Sequence, residues 1–163
     1  MNIRAAESTD LEALRALRNY YVASSYATFD EQSLTSEDIR EWYDGFAEMG
    51  PHRLLLAEAS GALAGYAASQ VYRARPAFRK TVETSIYVSP DQGGRGVGSM
   101  LYTALFAAIA NEGLHRAVVG IALPNDASVR LHEKFGFIRI GTFSEYAIKN
   151  DEFISSLWME KAL

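Results

Sequence analysis

Four glycines, Gly93, Gly94, Gly96 and Gly98, lie close together in a chain of 163 residues, within the stretch Val88-Ser89-Pro90-Asp91-Gln92-Gly93-Gly94-Arg95-Gly96-Val97-Gly98-Ser99. Without a Cβ at those positions, successive backbone N–H groups can turn toward one point. The run before them, Thr81 to Val88, is apolar and β-branched and reads as a buried strand. The run after them is rich in Ala, Leu and Met and reads as a helix from Ser99 to Asn111. The helix start adds partial positive charge behind the glycines. Strand, glycine loop and helix together predict a cradle for an anion, most often phosphate. A tight turn that holds no ligand is the alternative.

Two common cradles do not fit. A nucleotide-triphosphate loop ends in Gly-Lys-Ser/Thr, and no lysine lies between Lys80 and Lys134. A dinucleotide loop needs a third glycine where this chain has Leu101.

The elements that must position the loop read as follows. Asn2 to Ala6 opens as a strand, and Ser8-Thr9-Asp10 caps an amphipathic helix from Asp10 to about Ser24. Thr35-Ser36-Glu37-Asp38 is a capping box for a second helix whose apolar face is Ile39, Trp42, Tyr43 and Phe46, stopped by Gly50-Pro51. Arg53 to Ala59 and Leu63 to Tyr72 form a hairpin. Ala117 to Leu123 is a further buried strand, and Asn125-Asp126 caps a short helix from Ala127 to Lys134. Phe137 to Thr142 and Ser155 to Met159 are the last strands. Strand–helix–strand–helix order around the glycines predicts an α/β fold in one domain, residues 1–163, with parallel pairing at the centre and antiparallel flanks.

Composition removes several function classes. A net charge of −4 argues against broad nucleic-acid binding. Zero cysteines exclude disulfides, thiolate metal sites and a cysteine nucleophile. His52, His115 and His132 lie far apart without paired ligand spacing, so no metal is expected. Neither a signal peptide nor an apolar run of membrane-spanning length is visible, and the expected location is the cytoplasm, with no membrane partner.

The residues Val82-Glu83-Thr84-Ser85-Ile86-Tyr87-Val88-Ser89, the glycine loop, and Leu123-Pro124-Asn125-Asp126-Ala127-Ser128-Val129-Arg130-Leu131-His132-Glu133 occur in this order. The chain thereby resembles the GNAT superfamily of N-acetyltransferases, in particular its phosphinothricin and methionine sulfoximine acetyltransferase branch. It departs from the pattern at Gly93, where the family usually has Gln or Arg; Gln92 stands one place early. The resemblance implies a mixed central sheet of about seven strands flanked by helices, acetyl-CoA as co-substrate, and a homodimer. It implies acetyl transfer to the α-amino group of a small glutamate-like amino acid.

Acetyl-CoA contacts would come from Tyr87, Val88, Gly93, Gly94, Arg95, Gly96, Val97, Gly98, Ser99, Asn125 and Ser128. An ammonium must lose a proton before it can attack a thioester. Glu83, in an apolar strand where burial would raise its pKa, stands where the family has its catalytic carboxylate. Pairing with Arg75, Arg79 or Lys80 is the alternative reading of Glu83. His132 matches the position from which many members supply a tyrosine to the departing thiolate; a surface histidine is its alternative. A backbone N–H near Val88 would polarise the carbonyl. Arg73 and Arg75 would recognise a carboxylate, unless they form only a solvated connector. Phe29, Tyr26 and Tyr87 are candidate pocket walls. Acetylation of a peptide N-terminus or another amine, and acyl-CoA binding without catalysis, are the competing functions.

Overall fold

The computed structural model describes residues 1–163. In chain order the elements are β1 (Asn2–Ala5), α1 (Leu11–Ser24), α2 (Ser36–Tyr43), β2 (Arg53–Ala59), β3 (Ala62–Val71), β4 (Thr81–Val88), α3 (Val97–Ile109), β5 (Arg116–Ala122), α4 (Asp126–Lys134), β6 (Ile138–Lys149) and β7 (Glu152–Ala162). The seven strands form one sheet in the order β1-β2-β3-β4-β5-β7-β6. Every pair is antiparallel except β4 with β5.

Alternation along the strands builds a core on each face. Leu54, Leu56, Tyr66 and Ala68 pack with Leu11, Leu14, Leu17 and Ile39 of α1 and α2. The intervening Leu55, Ala57 and Ala67 pack on the other face with Val97, Leu101, Tyr102 and Leu105 of α3. Val82, Ala117, Val119, Ile121, Leu157 and Met159 extend that second face toward Val129 of α4.

The parallel pair is short. Thr81, Val82 and Glu83 pair with Arg116, Ala117 and Val118, and the register ends there. Beyond it β4 stays with β3 as far as Val88, while β5 stays with β7 as far as Ala122. The two strands therefore splay, opening a wedge in the middle of the sheet.

Several boundaries differ from the sequence reading. A 3-10 turn, Ser8–Asp10, precedes α1, because the Asp10 carboxylate accepts from the Glu7 backbone N–H at 2.8 Å and from the Arg4 guanidinium at 2.7 Å. Helix α2 ends at Tyr43, well before Gly50-Pro51, and Phe46 packs on Trp42 from the following turn, with ring centroids 5.0 Å apart. Helix α3 begins two residues before Ser99, because Gly96 at φ 80 already caps it. Strands β6 and β7 are much longer than expected. Their pairing tolerates irregularities at Arg139/Gly141 and Phe143/Ala147, which break the alternation, and closes through Asn150 and Asp151 at φ 51 and 63.

Candidate active site

The glycine loop opens onto a cavity of about 510 Å³ at the start of α3. Gly94 and Gly96 hold φ of 75 and 80, a left-handed backbone that other residues adopt only with strain. Gly98 lies within the first turn of α3; a Cβ there would approach Leu131 Cδ2 of α4 to 2.9 Å. These glycines let the loop turn back on itself and let α4 close over it. The first N–H groups of α3 have no acceptor within the helix and face an anion's natural position. Tyr87, Val88, Gly93, Gly94, Gly96, Val97, Gly98, Ser99, Asn125 and Ser128 all line this cavity, whereas Arg95 does not. The Ser99 hydroxyl accepts a hydrogen bond from Lys134 Nζ at 2.9 Å.

A second cavity, of about 250 Å³, adjoins the first and shares Ala27, Ile86, Tyr87, Asn125 and Ser128 with it. It occupies the wedge between β4 and β5. Being open through the sheet, it collects Glu83 from the α1 side and His132 and Thr84 from the α3 side. Phe29 lines it as expected, with its ring edge-on to Tyr146 at 6.0 Å between centroids.

Glu83 makes no ion pair and no side-chain hydrogen bond, so the expected alternative of a partner among Arg75, Arg79 and Lys80 is not realised. Burial pushes its carboxyl above the ordinary range. Gln70 lies across from it on β3, its Oε1 accepting from Trp42 Nε1 at 3.4 Å.

His132 is buried, 1% exposed, not a surface histidine. Its Nδ1 lies 2.7 Å from the Ser128 carbonyl, and its Nε2 lies 2.7 Å from the Tyr102 hydroxyl. A carbonyl only accepts, so Nδ1 carries the proton and Nε2 accepts from Tyr102. Burial lowers the pKa and keeps the ring neutral. Donation to a departing thiolate is open to His132 only through Nδ1–H, which the Ser128 carbonyl already holds. Sequence reasoning missed Tyr102, because its meeting with His132 depends on how α3 and α4 pack.

At the apex of the wedge, Ser89 N–H donates to Ala64 O at 2.9 Å across to β3. Alternation along a strand then aims Val88 N–H the opposite way, into the gap left by β5. The Val88 carbonyl accepts from the Tyr21 hydroxyl at 2.6 Å. The link before α2 forms the outer wall. Tyr87 donates to Ala27 O at 2.9 Å, and Lys149 Nζ donates to Ser25 O at 2.7 Å and Thr28 O at 2.9 Å. Tyr26, expected at the wall, instead directs its hydroxyl to Glu152.

Arg73 and Arg75 are exposed and line neither cavity. The Arg73 guanidinium lies over the Tyr72 ring at 5.1 Å, and Tyr72 packs on Trp158 of the wedge wall at 6.2 Å. Lys149, Ser156 and Trp158 carried no sequence signal linking them to the site.

The profile of the Acetyltransferase (GNAT) family matches residues 14–137. A phosphinothricin N-acetyltransferase from Streptomyces coelicolor is 45% identical over 165 aligned positions, covering 100% of this chain and 96% of that protein. An L-methionine sulfoximine/L-methionine sulfone acetyltransferase from Salmonella typhimurium is 30% identical, covering 100% of this chain and 95% of that protein. The crystal structure of a GNAT superfamily phosphinothricin acetyltransferase from Sinorhizobium meliloti, in complex with acetyl-CoA, superposes with a TM-score of 0.93 at 25% identity, over 99% of this chain and 88% of that one.

Proposed function

Because the chain belongs to the acetyltransferase (GNAT) family, we propose that it moves the acetyl group of acetyl-CoA onto the α-amino group of a small glutamate-like amino acid, with phosphinothricin, methionine sulfoximine and methionine sulfone as its substrates. One observation carries this reading: a glycine-lined anion cavity and a cavity holding an unpaired, half-buried carboxylate share a wall at the apex of the splayed sheet. The small volume of the second cavity, walled by Phe29 and Tyr146, favours a free amino acid over a peptide.

The loop from Gly93 to Ser99 holds the diphosphate through main-chain N–H groups and the start of α3. Arg95 contributes charge from outside the cavity lining. Asn125 caps α4 by accepting from Ser128 N at 3.1 Å through Oδ1, which leaves its NH₂ free for the pantetheine arm. Val88 N–H polarises the thioester carbonyl. Glu83, directly or through a water, removes one proton from the substrate ammonium, and its raised pKa suits it to that task. The nitrogen lone pair attacks the acetyl carbon to form the C–N bond; the nitrogen then gives its second proton to solvent, and the C–S bond breaks. Thiolate leaves and takes a proton from solvent or from His132 Nδ1–H, which must first release Ser128 O. A thiol-release assay with acetyl-CoA and the three amines tests the reading. Release with at least one of them is expected, and release with none contradicts it.

The working form is a homodimer. Strand β6 is an edge strand, and Ile138, Ile140, Phe143 and Ile148 on it are each more than half exposed, at 63%, 58%, 57% and 54%. An apolar edge of this kind is ordinarily covered by another chain. Sedimentation of the wild type and of Ile140→Glu distinguishes dimer from monomer.

A further inference from the structure

Two polar groups in the wall of the wedge have no partner. Ser156 Oγ and Trp158 Nε1 are both buried, and neither makes a hydrogen bond within the protein. Ser156 is only 1% exposed. Buried polar groups are nearly always paired, so two unpaired on one strand require a reason. Both residues line the cavity that contains Glu83. They also share its face of the sheet: Glu83 pairs with Val118, and two and four residues further along β5, Gly120 pairs with Trp158 and Ala122 with Ser156. Glycine and alanine offer no side-chain partner to either group. Gly120 is what admits the indole, since a Cβ there would stand 3.0 Å from Trp158 Cε2 and Cζ2.

We infer that Ser156 and Trp158 form a subsite that hydrogen-bonds an oxygen acceptor of the amine substrate. Indole N–H only donates, and the serine hydroxyl donates readily. Both therefore seek an acceptor such as a sulfonyl, sulfoximine, phosphinyl or carboxylate oxygen. The cavity is lined by no lysine or arginine, so the recognition here is by neutral donors. A neutral sulfonyl-type oxygen suits such donors best, because it brings no unpaired charge into the wall. The inference rests on the acetyltransfer reading and adds the residues that select the substrate. The acceptor is either the oxygen of the side-chain head or the α-carboxylate.

The test compares Trp158→Phe and Ser156→Ala with the wild type on methionine sulfone, methionine and methionine amide. A head-group subsite predicts a roughly tenfold loss of kcat/KM on the sulfone through KM, little change on methionine, and an unchanged KM for acetyl-CoA. A carboxylate subsite predicts the loss on sulfone and methionine alike but not on methionine amide. Equal losses on all three, or none, overturn the subsite. Because Trp158→Phe can also disturb packing, a second measurement uses the unaltered chain. With ¹⁵N-labelled tryptophan and coenzyme A present, added methionine sulfone should shift the Trp158 Nε1–H resonance; no shift at saturation overturns the inference. A wild type that acetylates none of these amines overturns the acetyltransfer reading itself, whereas turnover with indifferent variants overturns only the subsite.

Discussion

Gly96 and Gly113 offer a matched pair of substitutions. Both have left-handed backbones, at φ 80 and 67, and a Cβ built on either meets nothing within 4 Å. Alanine at either position therefore suffers conformational strain without a clash. That strain is about 1–2 kcal/mol for an L-residue. At Gly113, in the turn after α3, it should appear only as lost stability, a fall in Tm of about 2–4 °C per kcal/mol for a chain of this size. Gly96 differs in capping α3 at the mouth of the anion cavity. There the loop can relieve strain by relaxing toward negative φ, which turns the N–H groups away from the ligand. Binding must then restore the strained form, and up to about 1–2 kcal/mol reappears as weaker affinity, a factor of about 5–30. Titration calorimetry with acetyl-CoA, beside thermal melts, reads both quantities. Gly96→Ala is expected to weaken acetyl-CoA binding, and Gly113→Ala is expected to leave it unchanged. Equal losses of Tm with acetyl-CoA affinity unchanged in both would refute the cradle and leave the glycines as turn residues.

Tyr102→Phe removes the donor to His132 Nε2 and leaves a buried acceptor unpaired, at about 1–3 kcal/mol, so the melting temperature should fall measurably. Lys149→Met removes both bonds that tie Ser25 and Thr28 to β6; the KM for the amine should rise severalfold while acetyl-CoA affinity holds, as steady-state kinetics would show. The raised pKa of Glu83 means the folded chain holds a proton that the unfolded chain has already lost. Stability should therefore fall as pH rises from the ordinary carboxylate range through the folded value. Glu83→Gln should consequently melt higher than the wild type at neutral pH, with the gap closing on acidification.

The strand and loop that organise the site were legible because their signals are local. Thr81 to Val88 is continuous and β-branched, and its bounds are those of β4. Asn125 stands directly before a helix and caps it through Ser128 N. Resemblance added Glu83 and the cleft as a whole. What stayed hidden depends on long-range packing. His132 Nε2 finds its donor in Tyr102, thirty positions away on another helix. Lys149, at the far end of β6, reaches the link at Ser25 to Thr28 across most of the chain. The length of β6 and β7 was obscured because irregular pairing disrupts the period that marks a strand. Arg73 and Arg75 drew attention as charges near a strand end, but they lie beyond the end of β3 in an exposed connector and line neither cavity.

The wedge joins an anion-gripping loop to a proton-accepting carboxylate, and Glu83→Gln separates the two most directly. Rates at saturating acetyl-CoA and amine, measured beside acetyl-CoA affinity by calorimetry, should show kcat reduced by about 10²–10⁴-fold with the dissociation constant unchanged. An undiminished kcat would contradict the assignment of Glu83 as the base.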